Sequence, residues 1–212
     1  NRTVEKVQFL QKCGFERIVL ARETPLELIE KIYKQTLAEL EVFVHGALCV
    51  SYSGQCYMSY ANCGRSANRG ECAQYCRLPY SLQDANGNIL LKNKHLLSLK
   101  DLNRANFLED LINAGVMSFK IEGRMKEANY VKNITAFYRK KLDAILEHQP
   151  ERKRSSFGKS TFFFNPIAEK SFHRGNTDYF LFERSKNMVQ LATPKSLGEY
   201  IGVVSQTQRK SI

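Results

Sequence analysis

No run of apolar residues in this chain is long enough to cross a bilayer, so a membrane-spanning helix is excluded. The opening Asn1-Arg2-Thr3 leads into no apolar secretory segment, and the expected setting is the cytoplasm, for a piece cut from a longer chain. H-E-x-x-H, the signature of a large class of zinc peptidases, does not occur. No two cysteines stand at C-x-x-C spacing and no histidine follows them at finger spacing, which excludes the common zinc ribbons and fingers. Internal repeats and low-complexity tracts are missing too. Acidic side chains are scarce: 21 against 32 Lys plus Arg, a formal charge of +11. The excess gathers in Lys132 to Arg154 and at the C-terminal end. A field of that sign favours polyanions, so RNA, DNA or an acidic small molecule leads the candidate partners.

What is present is thiol. Five of the 6 cysteines fall within Cys49 to Cys76, a stretch rich in Gly, Ser, Asn and Arg, with the spacing Cys49-x6-Cys56-x15-Cys72-x3-Cys76 and Cys63 inside the long gap. Cys13 stands far upstream. Disulfides would need an oxidising compartment, and a 212-residue chain that is 43% hydrophobic builds a core without staples. Buried structural cysteines normally sit in apolar runs, unlike these. Irregularly spaced soft ligands suit an iron-sulfur cluster as well as zinc.

Residues 4 to 150 alternate between strand and helix patterns. A strand at Ile18-Val19-Leu20 precedes a helix from Pro25 to about Thr36, with Pro in the first turn and Leu26, Leu28, Ile29 and Ile32 on its buried face. The strand Val42-Phe43-Val44 leads into the cysteine loop, 46–80. Asn86-Gly87 marks a hairpin turn between 78–82 and 89–91, because Asn-Gly accepts positive φ. A helix over Phe107 to Asn113 stops at Gly115, a strand covers Val116 to Ile121, and a long helix runs from about Met125 to Glu147. Val131, Ile134, Phe137, Leu142 and Ile145 form its apolar stripe. Such alternation implies parallel strands with helical crossovers, hence an α/β fold. Each strand ends in polar residues: Arg22-Glu23, His45-Gly46 and Glu122-Gly123-Arg124. In a (β/α) barrel those ends build the active site. Only about three βα units are visible, against the eight of a closed barrel, so the expectation is part of one. Residues 151–159 read as a linker. Beyond it, β-like runs at 161–164, 179–182, 188–191 and 200–204 suggest the start of a small, truncated β domain over 160–212.

Several segments together resemble the collagenase-like U-thirty-two peptidase family. They are Glu41 to Cys49, Ser53 to Ser59, Gly64 to Arg77, Lys94 to Asp101, Lys120-Ile121-Glu122-Gly123-Arg124 and Phe172-His173-Arg174-Gly175. The resemblance covers essentially the whole chain and implies the C-terminal part of a TIM-like barrel. Despite the peptidase label, the branch this spacing resembles implies an iron-sulfur enzyme that hydroxylates a wobble uridine of tRNA or a cytidine of large-subunit rRNA. Prephenate is the implied oxygen donor.

On that reading Cys49, Cys56, Cys72 and Cys76 hold the cluster, which is expected to be of the four-iron type, and Cys63 is spare. Arg65, Arg69, Arg77 and Lys120 are expected to bind substrate, with Arg124 able to join a guanidinium clamp on a small dicarboxylate or on phosphates. Glu122, Arg124 and His45 form the expected catalytic set. Tyr57, Tyr60 and Tyr75 are candidates to stack a splayed base, although buried packing is the ordinary role for each. A second reading is a peptidase with a cysteine nucleophile and His45, four residues before Cys49, as base. A third is a zinc-stapled RNA-binding module without chemistry.

Overall fold

The computed structural model describes residues 1–184 and 186–207. Five α-helices, four short 3-10 turns and seven strands are present among them. The helices are α1 (Val4–Lys12), α2 (Leu26–Tyr33), α3 (Met58–Cys63), α4 (Leu108–Asn113) and α5 (Ala128–Glu147). The strands are β1 (Arg17–Val19), β2 (Glu39–Gly46), β3 (Tyr80–Gln83), β4 (Ile89–Lys94), β5 (Asp101–Asn103), β6 (Val116–Ile121) and β7 (Asn176–Thr177).

β2 organises the main sheet. It pairs in parallel with β1 through Ile18 and Leu40, and with β6 along Leu40 to His45. At its C-terminal end, His45 and Gly46 pair antiparallel with Asn103 and Leu102 of β5, which in turn carries β7 in parallel. The sheet is therefore mixed rather than wholly parallel, and open among the described residues. Period-two alternation puts Leu40, Val42 and Val44 into one core with Val7, Ile29, Ile32, Leu111 and Ile134. Phe43, on the other face, packs against a smaller cluster of Leu48, Leu99, Leu102 and Tyr179.

The expected helices and the hairpin form close to where the pattern places them. Two helix boundaries move. α2 stops at Tyr33 rather than near Thr36. α5 starts at Ala128 because Met125 has a φ of +60, a left-handed turn that no helix continues through. Of the expected stripe, Ile134 is fully buried and Phe137, Leu142 and Ile145 pack against the main core, whereas Val131 is 45% exposed; Tyr130, Ala136 and Tyr138 are buried as well.

After α5 the picture departs further from expectation. Residues 151–159, expected as a linker, carry no helix or strand, and Arg152 and Arg154 hold them to the body through the Ile112 carbonyl and the Asp143 carboxylate. None of the four β-like runs in 160–212 forms a strand among the described residues. Val189 makes one bridge to Leu99, Asn176–Thr177 extends the main sheet, and Leu181 is fully buried in the main core. Of these runs only 179–182 buries side chains deeply, at Tyr179 and Leu181, while Phe163, Tyr200, Ile201 and Val203 are exposed. The basic C-terminal end, Arg209 and Lys210, lies outside the described residues.

Candidate functional site

The cysteine loop follows the C-terminal end of β2 and is pinned at several points. Glu23 accepts hydrogen bonds from the Ser53 amide and hydroxyl at 2.9 and 2.8 Å. Asn68 accepts from the Cys56 amide at 3.1 Å, and Ser59 from the Ala73 amide at 3.0 Å. Gln74 takes a φ of +58 between Cys72 and Cys76, which reverses the chain there. The result is a cavity of about 210 Å³ whose lining includes Cys49, Cys56, Cys72 and Cys76. Val50, Tyr57, Met58 and Tyr75 contribute its apolar surface.

All six thiols are free. Cys63 does not line the cavity; its Sγ donates to the Ser59 carbonyl at 3.2 Å, and Cys13 caps α1 elsewhere. Burial pushes the Cys49 thiol up, and the neighbouring Cys56 and Cys72 add to that. Cys76 is raised by burial as well, opposed by the adjacent Arg77 and reinforced by the other three thiols. Among the described residues no three His, Cys, Asp or Glu side chains are placed to hold a single metal ion.

The polar strand ends meet on the same side as this loop. Arg22, following β1, forms an ion pair with Glu122, following β6, and its guanidinium lies 3.8 Å from the centre of the Phe43 ring. The Glu122 amide donates to the His45 carbonyl at 2.8 Å. Gly46 makes that approach possible, since a Cβ there would stand 2.6 Å from the Glu122 carbonyl oxygen. Arg124 reaches the loop itself and donates to the Gly70 carbonyl at 2.9 Å. Arg22, Glu23, Glu122 and Arg124 therefore share one face with the thiol cavity.

Other expected site residues are placed differently. His45 is 3% exposed; its Nδ1 lies 3.2 Å from the Tyr138 hydroxyl, and burial holds its pKa down to about 4, so the ring is neutral. It does not line the thiol cavity and does not serve as the base of Cys49 in this arrangement. Arg77 is not free for substrate, because it donates to the Leu48 and Leu99 carbonyls and the Ser98 hydroxyl at 2.6–2.9 Å. It fastens the end of the cysteine loop to the strand-end scaffold. Lys120 is paired with Glu41 at 2.9 Å. Arg65 and Arg69 are exposed on the loop. Tyr57 and Tyr60 are 68% and 64% exposed, against the expectation of burial, and Tyr57 and Tyr75 both border the thiols. The basic run is partly neutralised from within: Arg139 and Arg154 share Asp143.

Sequence patterns did not single out the buried polar framework. Arg104, 1% exposed, donates to the Arg22, Phe43 and Asp178 carbonyls and so ties the ends of β1, β2 and the tail together. Asp101 binds the Arg174 side chain and amide, both at 2.9 Å. The matches at Lys94 to Asp101 and Phe172 to Gly175 were the available signal, since they contain both partners of that pair.

Residues 1–190 match peptidase family U32. The chain belongs to that family. Within peptidase family U32, it is 54% identical over 203 residues to the 23S rRNA 5-hydroxycytidine C2501 synthase of Escherichia coli, covering 96% of this chain and 31% of that protein. It is 40% identical over 144 residues to the tRNA hydroxylation protein P1 of Bacillus subtilis, covering 65% and 34% respectively. A collagenase of Porphyromonas gingivalis is 36% identical over 140 residues, covering 60% and 34%. The chain thus spans about a third of the length of these relatives. No solved structure matches it.

Proposed function

We propose that this U32 chain carries the cluster-binding portion of an enzyme that hydroxylates an RNA base, a tRNA wobble uridine or a large-subunit rRNA cytidine, with prephenate as oxygen donor. One observation carries the reading: the four thiols selected by spacing line a single cavity beside the strand-end face. Four soft thiol donors around one cavity fit an iron-sulfur cluster, and the same donors also fit zinc, so the metal content decides between the two. Cys49, Cys56, Cys72 and Cys76 would hold a four-iron cluster, which supplies one-electron redox chemistry when bound.

The chain's own residues do the rest. Tyr57, Tyr75 and Met58 border the thiols, and Arg77 beside Cys76 offsets thiolate charge. Tyr57 and Tyr60 offer exposed rings on which a splayed base can stack. The Arg22–Glu122 pair and Arg124 stand at the adjoining face, where the arginines can orient an anionic group. The three parallel strands with polar C-terminal ends support reading the fold as part of a (β/α) barrel. The cytoplasm, where thiols stay reduced, is the compartment this chemistry needs.

A collagenase-like peptidase is disfavoured by the buried, neutral His45, which is engaged by Tyr138 rather than by a thiol. Anaerobic purification tests the proposal against both alternatives. A brown protein with iron and sulfide in equal amounts is expected; a colourless protein containing zinc would replace it with the stapled module.

A further inference from the structure

One side chain joins the two ends of the cysteine loop. Arg77, directly after Cys76, turns its guanidinium back to Leu48, directly before Cys49, and donates to that carbonyl from Nη2 at 2.9 Å. From Nη1 it donates to the Ser98 hydroxyl at 2.9 Å and to the Leu99 carbonyl at 2.6 Å. Its own carbonyl accepts from His95 Nδ1 at 2.8 Å. The anchors are firm, since Ser98 is fully buried and Leu48 and Leu99 belong to the smaller apolar cluster. The first and last of the four cavity thiols are thus held to one base. Closing the loop in this way before a metal arrives removes part of the ordering cost that metal binding would otherwise have to overcome.

The charge of Arg77 is not balanced by any of these contacts. The side chain is half-buried, and all three acceptors of its guanidinium are neutral. No carboxylate pairs with it among the described residues. Asp101, whose charge reaches it, is committed to Arg174 at 2.9 Å. Burial lowers the Arg77 pKa first and Arg174 adds to that, while Cys76, Asp101 and Cys49 oppose both. Burial also pushes the Cys49 and Cys76 thiols up. With the thiols protonated, therefore, a partly buried cation stands beside two neutral sulfurs. Metal binding requires thiolates, so it brings negative charge to the place where this cation already stands. Each charge then lowers the desolvation cost of the other. A fixed positive charge beside a metal-thiolate centre also favours its reduced form, because net charge and nearby hydrogen bonds set the potential.

We propose that Arg77 is a positioning residue of the metal centre, at once the clasp on its first and last ligands and its resident counter-charge. The inference rests on the cluster reading only in that the four thiols bind metal. Retention of metal by the full chain, purified anaerobically and challenged with EDTA, tests it, together with the reduction potential where the metal is iron. Arg77→Gln keeps hydrogen-bond donors without the charge, whereas Arg77→Lys keeps the charge without the planar fork. Arg77→Gln is expected to hold metal about tenfold more weakly, the usual effect of removing an outer partner of metal ligands, and to show a more negative potential than the parent. Arg77→Lys should keep the parent's potential while retention falls less than in Arg77→Gln. Ser98→Ala removes one acceptor and leaves the charge; retention should weaken by about threefold with the potential unchanged. It is the variant that decides should Arg77→Gln not fold, which melting of the metal-free proteins reports. Retention equal to the parent's in folded Arg77→Gln, or in Ser98→Ala where Arg77→Gln does not fold, would overturn the proposal. So would an unchanged potential in Arg77→Gln. A parent chain that holds zinc would sink the cluster reading alone, and retention of that zinc in the same variants then decides for or against Arg77. A parent that binds neither metal would overturn both.

Discussion

Cys63 and Cys72 are both exposed thiols of the same loop, yet only Cys72 lines the cavity. Replacing Cys72 or Cys56 with Ser is therefore expected to remove most of the iron and the visible absorption from anaerobically prepared protein, whereas Cys63→Ser and Cys13→Ser keep both. Equal loss in all four variants would show that the cavity does not select its ligands. Spacing made this set legible, because four ligands of one centre must come from one loop or from loops that meet. His45 was less legible: a polar residue ending a strand reads as a site residue, and only Tyr138, 93 positions away, shows that it packs inward. Its depressed pKa has a consequence for stability. Between pH 6.5 and about 4 the unfolded chain binds a proton at His45 that the folded one refuses, so stability is complete above 6.5 and falls as pH drops through that window. The full effect is about 3 kcal/mol, since each tenfold change in proton affinity is worth about 1.4 kcal/mol. Denaturant midpoints at pH 7.5 and 5 should differ less in His45→Gln than in the parent; an equal difference would place the acid sensitivity elsewhere.

At the level of elements, the joint between β2 and β6 decides where the strand-end carboxylate sits. Gly46 has a φ of +108, and any Cβ there would strike the Glu122 backbone at 2.6 Å. Gly46→Ala combines backbone strain with a clash that no side-chain rotation relieves, so a loss of roughly 3 kcal/mol or more is expected. Gly123→Ala, whose Cβ would meet only Val131 at an ordinary 3.7 Å, should change stability by about 0.5 kcal/mol or less. Thermal unfolding of the two variants checks this, and equal melting points would refute the steric account. Periodicity placed α2 and the β1, β2 and β6 strands well because their apolar positions are buried, and the Asn86-Gly87 turn placed the exposed β3–β4 hairpin. The tail was misread for the opposite reason. Runs such as Thr161 to Phe164 have strand composition but stay largely exposed, whereas Leu181 is drawn into the main core beside α2 by residues far away in sequence. Arg104 was invisible for the same cause, since all three of its acceptors are main-chain carbonyls that no sequence pattern marks.

For the whole molecule, the excess of 11 positive charges is distributed unevenly, and part of the α5 run is neutralised by Asp143. The exposed Arg65 and Arg69, together with Lys132, remain open to a phosphate backbone. Binding of the full chain to tRNA or rRNA fragments should fall steeply as salt rises from 50 to 200 mM, at about one power of salt per phosphate neutralised. Substituting Arg65 and Arg69 together should shallow the logarithmic slope by roughly two. Salt-independent binding would contradict a role for this field. The most direct test of the proposed RNA hydroxylation is the mass of the nucleosides in tRNA and large-subunit rRNA from a strain in which the chromosomal gene carries Cys72→Ser. One uridine or cytidine is expected to lose the mass of a single oxygen and to regain it when the wild-type gene is restored. RNA identical in the two strains, with peptide cleavage that disappears in the Cys72→Ser strain, would contradict that function.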